Sequence, residues 1–135
     1  MIRQSANTRS RRRGLFSMEL VLVLPILGTL LLGLFEFSLL FFARGEVVDA
    51  SRAGARSATL PGATLTSIEE EVLATLSPRL RERAEVVIQP GVQTGDPVIV
   101  GVRVPMSAAA PDLLWPVGFQ LRDRYLASQT QMTKE

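Results

Sequence analysis

The chain has 135 residues, with 15 basic and 13 acidic side chains, no cysteine and no histidine. The lack of cysteine excludes a disulfide framework, a thiolate metal site and a lipid anchor on cysteine. The lack of histidine removes the usual general base and the commonest metal ligand. We therefore expect one small domain besides a membrane segment, not an enzyme, with no cofactor and no metal.

Basic residues are concentrated at the N-terminus. Residues 1–14 hold five arginines and no acidic residue, so the rest of the chain has ten basic against thirteen acidic residues. The positive charge thus belongs to this leader and not to a nucleic-acid-binding surface, and we expect no nucleic-acid partner. An arginine-rich block before an apolar segment predicts a cytoplasmic N-terminus, with the C-terminal part across the membrane.

The apolar segment Leu20–Phe42 has the length of a transmembrane helix, since its 23 residues span about 34 Å at about 1.5 Å per residue. Its 17 Leu, Ile, Val and Phe residues favour insertion by roughly 5 to 10 kcal/mol, against about 2 to 3 kcal/mol for Glu36. A cleavable secretory signal would have a shorter apolar core of about 7–15 residues. An uncleaved signal anchor is the stronger alternative.

Gly14 closes the leader, and Glu19 follows at the mouth of the apolar segment. This spacing resembles the processing site of type IV-like prepilins, in which the chain is cut after the glycine and the glutamate is retained. Such a cut would create an ammonium group on Leu15, one helical turn from Glu19, where opposite charges in a low dielectric stabilise each other. In an assembly, Glu19 of one subunit would pair with the Leu15 ammonium of its neighbour. The alternative is an unpaired Glu19 at the membrane interface.

Two further residues of the apolar segment are candidates for assembly contacts. Pro25 is tolerated in a membrane helix and predicts a kink near Gly28. The alternative is that the helix merely tolerates Pro25, and the sequence does not separate the two. Glu36 is an intramembrane acid, which usually faces another helix or water. We expect Glu36 to mark a subunit contact or, alternatively, to be solvated near the outer interface.

Beyond the apolar segment, helical spacing continues, and the long helix is predicted from about Phe16 to Ser57. A stripe of small residues suits close packing against another element. It consists of Ala43, Val47, Ala50, Gly54 and Ala58.

A second helix is predicted to start near Thr66, where Thr66 and Glu69 have the spacing of a capping box. The run Glu69–Glu71 is then a solvated first turn, favoured by the helix dipole, and not a metal site.

Extended structure is predicted for the C-terminal third. Strands are expected over Glu85–Gln89 and Val98–Pro105, the second with alternate valines on one face. Ser107–Gly118 is expected to be a loop that Trp115 anchors on the core. A terminal strand or bent hairpin is expected within Phe119–Thr130.

The predicted fold class is α+β, with a long N-terminal transmembrane helix, a second helix and a short antiparallel sheet. Residues 1–14 form the basic leader, 15–58 the long helix with its transmembrane part at 20–42, and 59–135 a small extracytoplasmic domain. Those last 77 residues would have a marginal core alone, so we expect their sheet to pack on the outer half of the long helix.

Several motifs of residues 13–58 recur in one order in a known family. They are Gly14–Glu19, Leu24-Pro25, Phe35-Glu36-Phe37 and Ala50–Arg56. Together they resemble the TadE-like family of tight-adherence (Flp) pilus systems. Leu20, where major Flp pilins usually have Tyr, and the length of the chain argue against the abundant filament subunit.

The resemblance implies a minor pilin or pseudopilin of the inner membrane, associated with pilus assembly. Its implied partners are a prepilin peptidase, other pilins or pseudopilins, the pilus assembly platform and the membrane. The alternative is an uncleaved, signal-anchored bitopic protein whose outer domain is a binding module.

Overall fold

The computed structural model describes the backbone of residues 8–135 and the side chains from Ser17 onward. Residues 1–7 of the leader lie outside the described part. The α+β fold class is confirmed. The elements, in chain order, are helix α1 (Thr8–Thr59), α2 (Leu65–Thr75), α3 (Pro78–Arg81), strand β1 (Glu85–Gln89), β2 (Pro97–Pro105), α4 (Met106–Ala109), a 3₁₀ turn (Trp115–Val117) and β3 (Tyr125–Thr133).

Helix α1 is the dominant element of the molecule. It has 52 residues and is about 78 Å long at about 1.5 Å per residue. Its start at Thr8 precedes the predicted Phe16, because the leader is rich in arginine, a good helix former. It ends at Thr59, just before Pro61, and Gly62 turns the chain with φ of 82°.

The three strands form one antiparallel sheet with β2 in the centre. Val87 of β1 lies opposite Gly101 of β2, and Val102 of β2 lies opposite Ser128 of β3. Alternation along β2 places four valines on the inner face, as predicted, and all four are buried: Val98, Val100, Val102 and Val104. Burying each of these side chains contributes about 1.5–3 kcal/mol.

This valine face packs on the outer half of α1. The predicted small-residue stripe is buried along its whole length, with Ala50 fully inaccessible to solvent. At Gly54 an added β-carbon would collide with Val72 of α2 and would lie 2.9 Å from Cγ1 of Val100. The outer half of α1 is therefore part of the head's core, where the head comprises residues 36–135.

Helix α2 begins earlier than predicted. Its N-cap is Thr64, whose hydroxyl accepts a hydrogen bond from the Ser67 amide at 3.1 Å, while the Ser67 hydroxyl accepts one from the Thr64 amide at 3.1 Å. The predicted cap at Thr66 is wrong, because the Thr64–Ser67 pair satisfies the same reciprocal geometry two residues upstream. Glu69–Glu71 consequently lie beyond the first turn of the helix.

The C-terminal region also differs from the prediction. The expected loop contains α4 and the 3₁₀ turn, and β3 starts at Tyr125 instead of near Phe119. Trp115 does not anchor its loop on the core, since its side chain is 62% exposed. Two prolines, Pro111 and Pro116, lack the amide donors that would extend a strand through this region.

Candidate functional site: the apolar helix and its contacts with the head

From Ser17 to Phe35, helix α1 presents an apolar surface to the surroundings on nearly every side. Ser17–Thr59 contains a stretch that is long and apolar enough to cross a membrane, by length and composition. From Ser17 to Phe35 all residues are exposed apart from the half-buried Gly28 and Gly33. Such a large apolar surface requires a nonaqueous environment, and the helix is therefore a membrane anchor.

The head covers part of the predicted transmembrane segment. Within Leu20–Phe42, burial begins at Glu36 and recurs at Leu40. The side of α1 that faces the head is thus covered from Gly33 onward, while Phe41 and Phe42 on the opposite side stay exposed. Only the part from Ser17 to Leu32 is free of the head.

The proposed processing residues lie near the start of the described chain. Gly14 and Leu15 are in the helical backbone of α1, and their side-chain surroundings lie outside the described part. Glu19 is exposed on the helix. The helical backbone places Leu15 and Glu19 one turn apart, as the charge pairing in the prediction requires.

Helix α1 continues through Pro25 without interruption. The proline leaves the Val21 carbonyl without its usual amide donor. The Thr29 hydroxyl donates to the carbonyl of Pro25 at 2.9 Å, a contact that slightly bends helices. Both features lie on the exposed part of α1, so the roles of Pro25 and Glu19 in subunit contact stay predictions.

Glu36 is the most unusual side chain of the apolar helix, because it is fully buried. Its Oε2 accepts hydrogen bonds from the backbone amides of Leu113 and Leu114, at 2.8 and 3.0 Å. The alternative of a solvated Glu36 near the outer interface is therefore wrong, whereas a subunit contact of Glu36 stays a prediction. Since its own chain encloses the carboxylate, a direct contact from Glu36 to a second subunit would require the 111–114 segment to open.

A second glutamate of α1 binds the head in the same way. Glu46 Oε2 accepts a hydrogen bond from the amide of Ser77, the residue before α3, at 2.9 Å. The neighbouring Arg79 donates to the carbonyls of Ala108 and Ala109, at 3.3 and 2.8 Å. These bonds join α1, α3 and α4 through groups whose charge strengthens each hydrogen bond.

A buried hydroxyl cluster joins α1 to β3. The Ser51 hydroxyl is 3.0 Å from the Ser128 hydroxyl and 2.8 Å from the Thr130 hydroxyl, and it lies 2.9 Å from the carbonyl oxygen of Val48, to which it can donate. Ser51 has no exposed surface. The cluster fixes the position of α1 along the strand, since any shift would leave buried hydroxyls without partners.

Sequence reasoning singled out Glu36 but missed Glu46 and Ser51 as contact residues. Both lie beside the small-residue stripe, one position before Val47 and one after Ala50. A polar residue next to a buried stripe is a signal that was available. The partners of Glu46 and Ser51 could not be identified from the sequence, because Ser77, Ser128 and Thr130 lie far along the chain.

The α1 side chains of these contacts lie in the part of the chain that the comparison with protein families recognises. Residues 14–56 match the TadE-like protein family model. The TadE-like resemblance of the sequence motifs is thereby confirmed. The match includes Glu36, Glu46 and Ser51, whereas the residues after α1 that they bond lie outside it. No match was found among curated proteins or among solved structures.

The TadE-like match lies wholly within α1. The matched segment starts at Gly14, contains the whole exposed apolar part of α1 and ends at Arg56, close to the end of the helix. The TadE-like segment is thus one helix that serves both as a membrane anchor and as one wall of the head.

Proposed function

We propose that this protein is a minor pilin or pseudopilin that acts in the assembly of a tight-adherence (Flp) type IV-like pilus. A prepilin peptidase cuts it after Gly14. The observation that carries the proposal is the TadE-like match over residues 14–56, which begins at the glycine of the proposed cut. The exposed apolar helix directly after that glycine supports it, because pilin-like subunits associate through such helices.

Processing gives Glu19 its role. The cut places the new ammonium of Leu15 one helical turn from the Glu19 carboxylate. In the membrane each charge stabilises the other, and pairing between subunits leaves neither charge alone in the low dielectric. Exposure of Glu19 on α1 is compatible with such an intersubunit pair.

The remaining partners follow from the same proposal. The N-terminus faces the cytoplasm, the helix lies in the inner membrane, and the head lies outside, where it contacts other pilins or pseudopilins. The pilus assembly platform acts on the membrane side. The role is structural and not enzymatic, which the absence of histidine and cysteine from the sequence supports.

The test is the N-terminal sequence and intact mass of the protein extracted from membranes of hosts with and without the prepilin peptidase. We expect a chain that starts at Leu15 only where the peptidase is present. Gly14→Val should block the cut, whereas Gly28→Val should not, since an added β-carbon at Gly28 meets nothing within 4 Å. A chain that starts at Met1 in both hosts would overturn the proposal.

One observation favours the alternative of an uncleaved anchor with a binding module. The outer face of the sheet carries an open groove of about 360 Å³. Its lining includes Val87, Arg103 and Gln129, and the Arg103 guanidinium lies 3.8 Å from the centre of the Tyr125 ring. An unprocessed chain would make this groove the leading candidate for function.

A further inference from the structure

The segment of residues 111–119, here called the helix-side loop, packs along the apolar part of α1. A β-carbon added at Gly33 would lie 3.7 Å from Cδ1 of Leu114, so Leu114 lies against the helix at that point. The Phe119 and Phe37 rings are 5.4 Å apart between centroids. The loop therefore reaches back along the helix toward its N-terminal end.

The position of this contact on α1 sets its depth in a bilayer. Gly33 follows Glu19 by 14 residues, which is about 21 Å of helix at about 1.5 Å per residue. The hydrocarbon core is about 30 Å thick. With Glu19 at one boundary of that core, Leu114 lies below the opposite boundary, and any tilt of the helix places it deeper.

Two large apolar side chains of the loop are exposed, and Trp115 borders a pocket whose other lining residues are Asp112, Gln120 and Arg122. Trp115 is 62% exposed and Val117 is 65% exposed. Between the loop and the helix lies a groove of about 450 Å³. Its lining is apolar and includes Leu30, Leu34, Phe37, Val117 and Phe119.

Most backbone amides of the loop have acceptors, whereas those of Asp112 and Trp115 have none among the described contacts. Five of its amides have acceptors: those of Leu113 and Leu114 donate to Glu36, and those of 117, 118 and 119 donate to carbonyls within the loop. Pro111 and Pro116 have no amide hydrogen to satisfy. Irregular backbone at membrane depth is tolerated where it is buried in protein, and Glu36 together with the loop's own carbonyls shields these five amides in that way.

From these observations we propose that the helix-side loop is inserted into the leaflet next to the head. Lipid acyl chains fill the groove between the loop and α1. Trp115 lies among the lipids, as aromatic residues do at membrane interfaces. Glu36 then has a specific task, because its Oε2 is the one acceptor of the Leu114 amide among the described contacts and a second acceptor, besides the Pro111 carbonyl, for the Leu113 amide.

Residues just after the loop support this placement. The chain becomes polar at Gln120, and Arg122 and Arg124 are exposed. The Arg124 guanidinium lies 5.1 Å from the centre of the Phe119 ring. Exposed arginines beside a lipid-facing aromatic side chain suit the level of the phosphate headgroups.

The test uses the single tryptophan of the chain as a probe of depth. The full chain is reconstituted into vesicles of phosphatidylethanolamine and phosphatidylglycerol that contain phosphatidylcholine brominated on its acyl chains. We expect blue-shifted Trp115 emission, strong quenching by the bromolipid and weak quenching by aqueous iodide. A control variant, Trp115→Phe with Val92→Trp, moves the probe to the exposed β1–β2 turn and should show the reverse pattern.

Two results would overturn the proposal. Quenching of Trp115 by iodide and not by bromolipid would place the loop in water. Loss of bromolipid quenching as the protein-to-lipid ratio rises would show that a second copy of the chain occupies the groove. Neither readout depends on cleavage after Gly14, so the loop and the proposed pilin function are tested separately.

Discussion

Glu36 bonds two amides of a loop that is 77 and 78 residues away in sequence. Replacing Glu36 with alanine should leave the Leu114 amide without an acceptor and the Leu113 amide with the Pro111 carbonyl alone. A buried unpaired amide costs about 1–3 kcal/mol. We expect Glu36→Ala to lower the free energy of unfolding in detergent and to increase hydrogen exchange at Leu113 and Leu114. Glu36→Gln keeps a carbonyl acceptor and should retain more of that protection. Unchanged exchange in Glu36→Ala would contradict the bonds.

Gly54 and Gly45 lie on the same helix in different surroundings. Gly54→Ala should be destabilising by about 1–3 kcal/mol, because the added methyl group collides with Val72 and Val100. Gly45→Ala meets nothing within 4 Å and should be stabilising by up to about 1 kcal/mol through helix propensity. Equilibrium unfolding of the two variants checks the pair. A stabilising Gly54→Ala would show that α2 does not approach α1 this closely.

At the scale of elements, Thr64 is the N-cap of α2. Thr64→Ala removes the N-cap and should destabilise the protein by about 1 kcal/mol. Thr66→Ala is the matched control, because Thr66 is an exposed helical residue without a capping role. The midpoints of thermal unfolding distinguish them. Equal shifts for the two variants would mean that Thr64 does not cap α2.

The elements that sequence predicts well are those whose signal is local. Strand β1 has the predicted bounds, and β2 differs by one residue, because alternating valines and flanking glycines are read directly. The small-residue stripe of α1 is also a local pattern, and its burial is confirmed. The register of Ser51 with Ser128 and the pairing of Glu36 with the helix-side loop depend on the way distant segments meet. No periodicity carries that information, and Trp115 was misplaced for the same reason.

At the scale of the whole molecule, the head depends on the helix that also enters the membrane. A fragment that starts at residue 60 would expose the valine face of β2 to water, so we expect it to be unfolded. A fragment that starts at residue 36 keeps the buried stripe and should fold. Circular dichroism and amide dispersion in NMR spectra distinguish the two fragments. A folded fragment 60–135 would contradict the shared core.

The continuity of α1 has a mechanical consequence. The membrane anchor and the wall of the head are one helix, which the Glu36, Glu46 and Ser51 contacts join to the rest of the head at three levels. In the part of the chain that the structure describes, no flexible linker separates the membrane anchor from the head. A pull that moves the anchor by one turn carries the head about 5.4 Å along the same axis, and a roll of the anchor turns the head through the same angle. The orientation of the head relative to the membrane surface is therefore set by the tilt and rotation of the part of α1 that lies in the membrane.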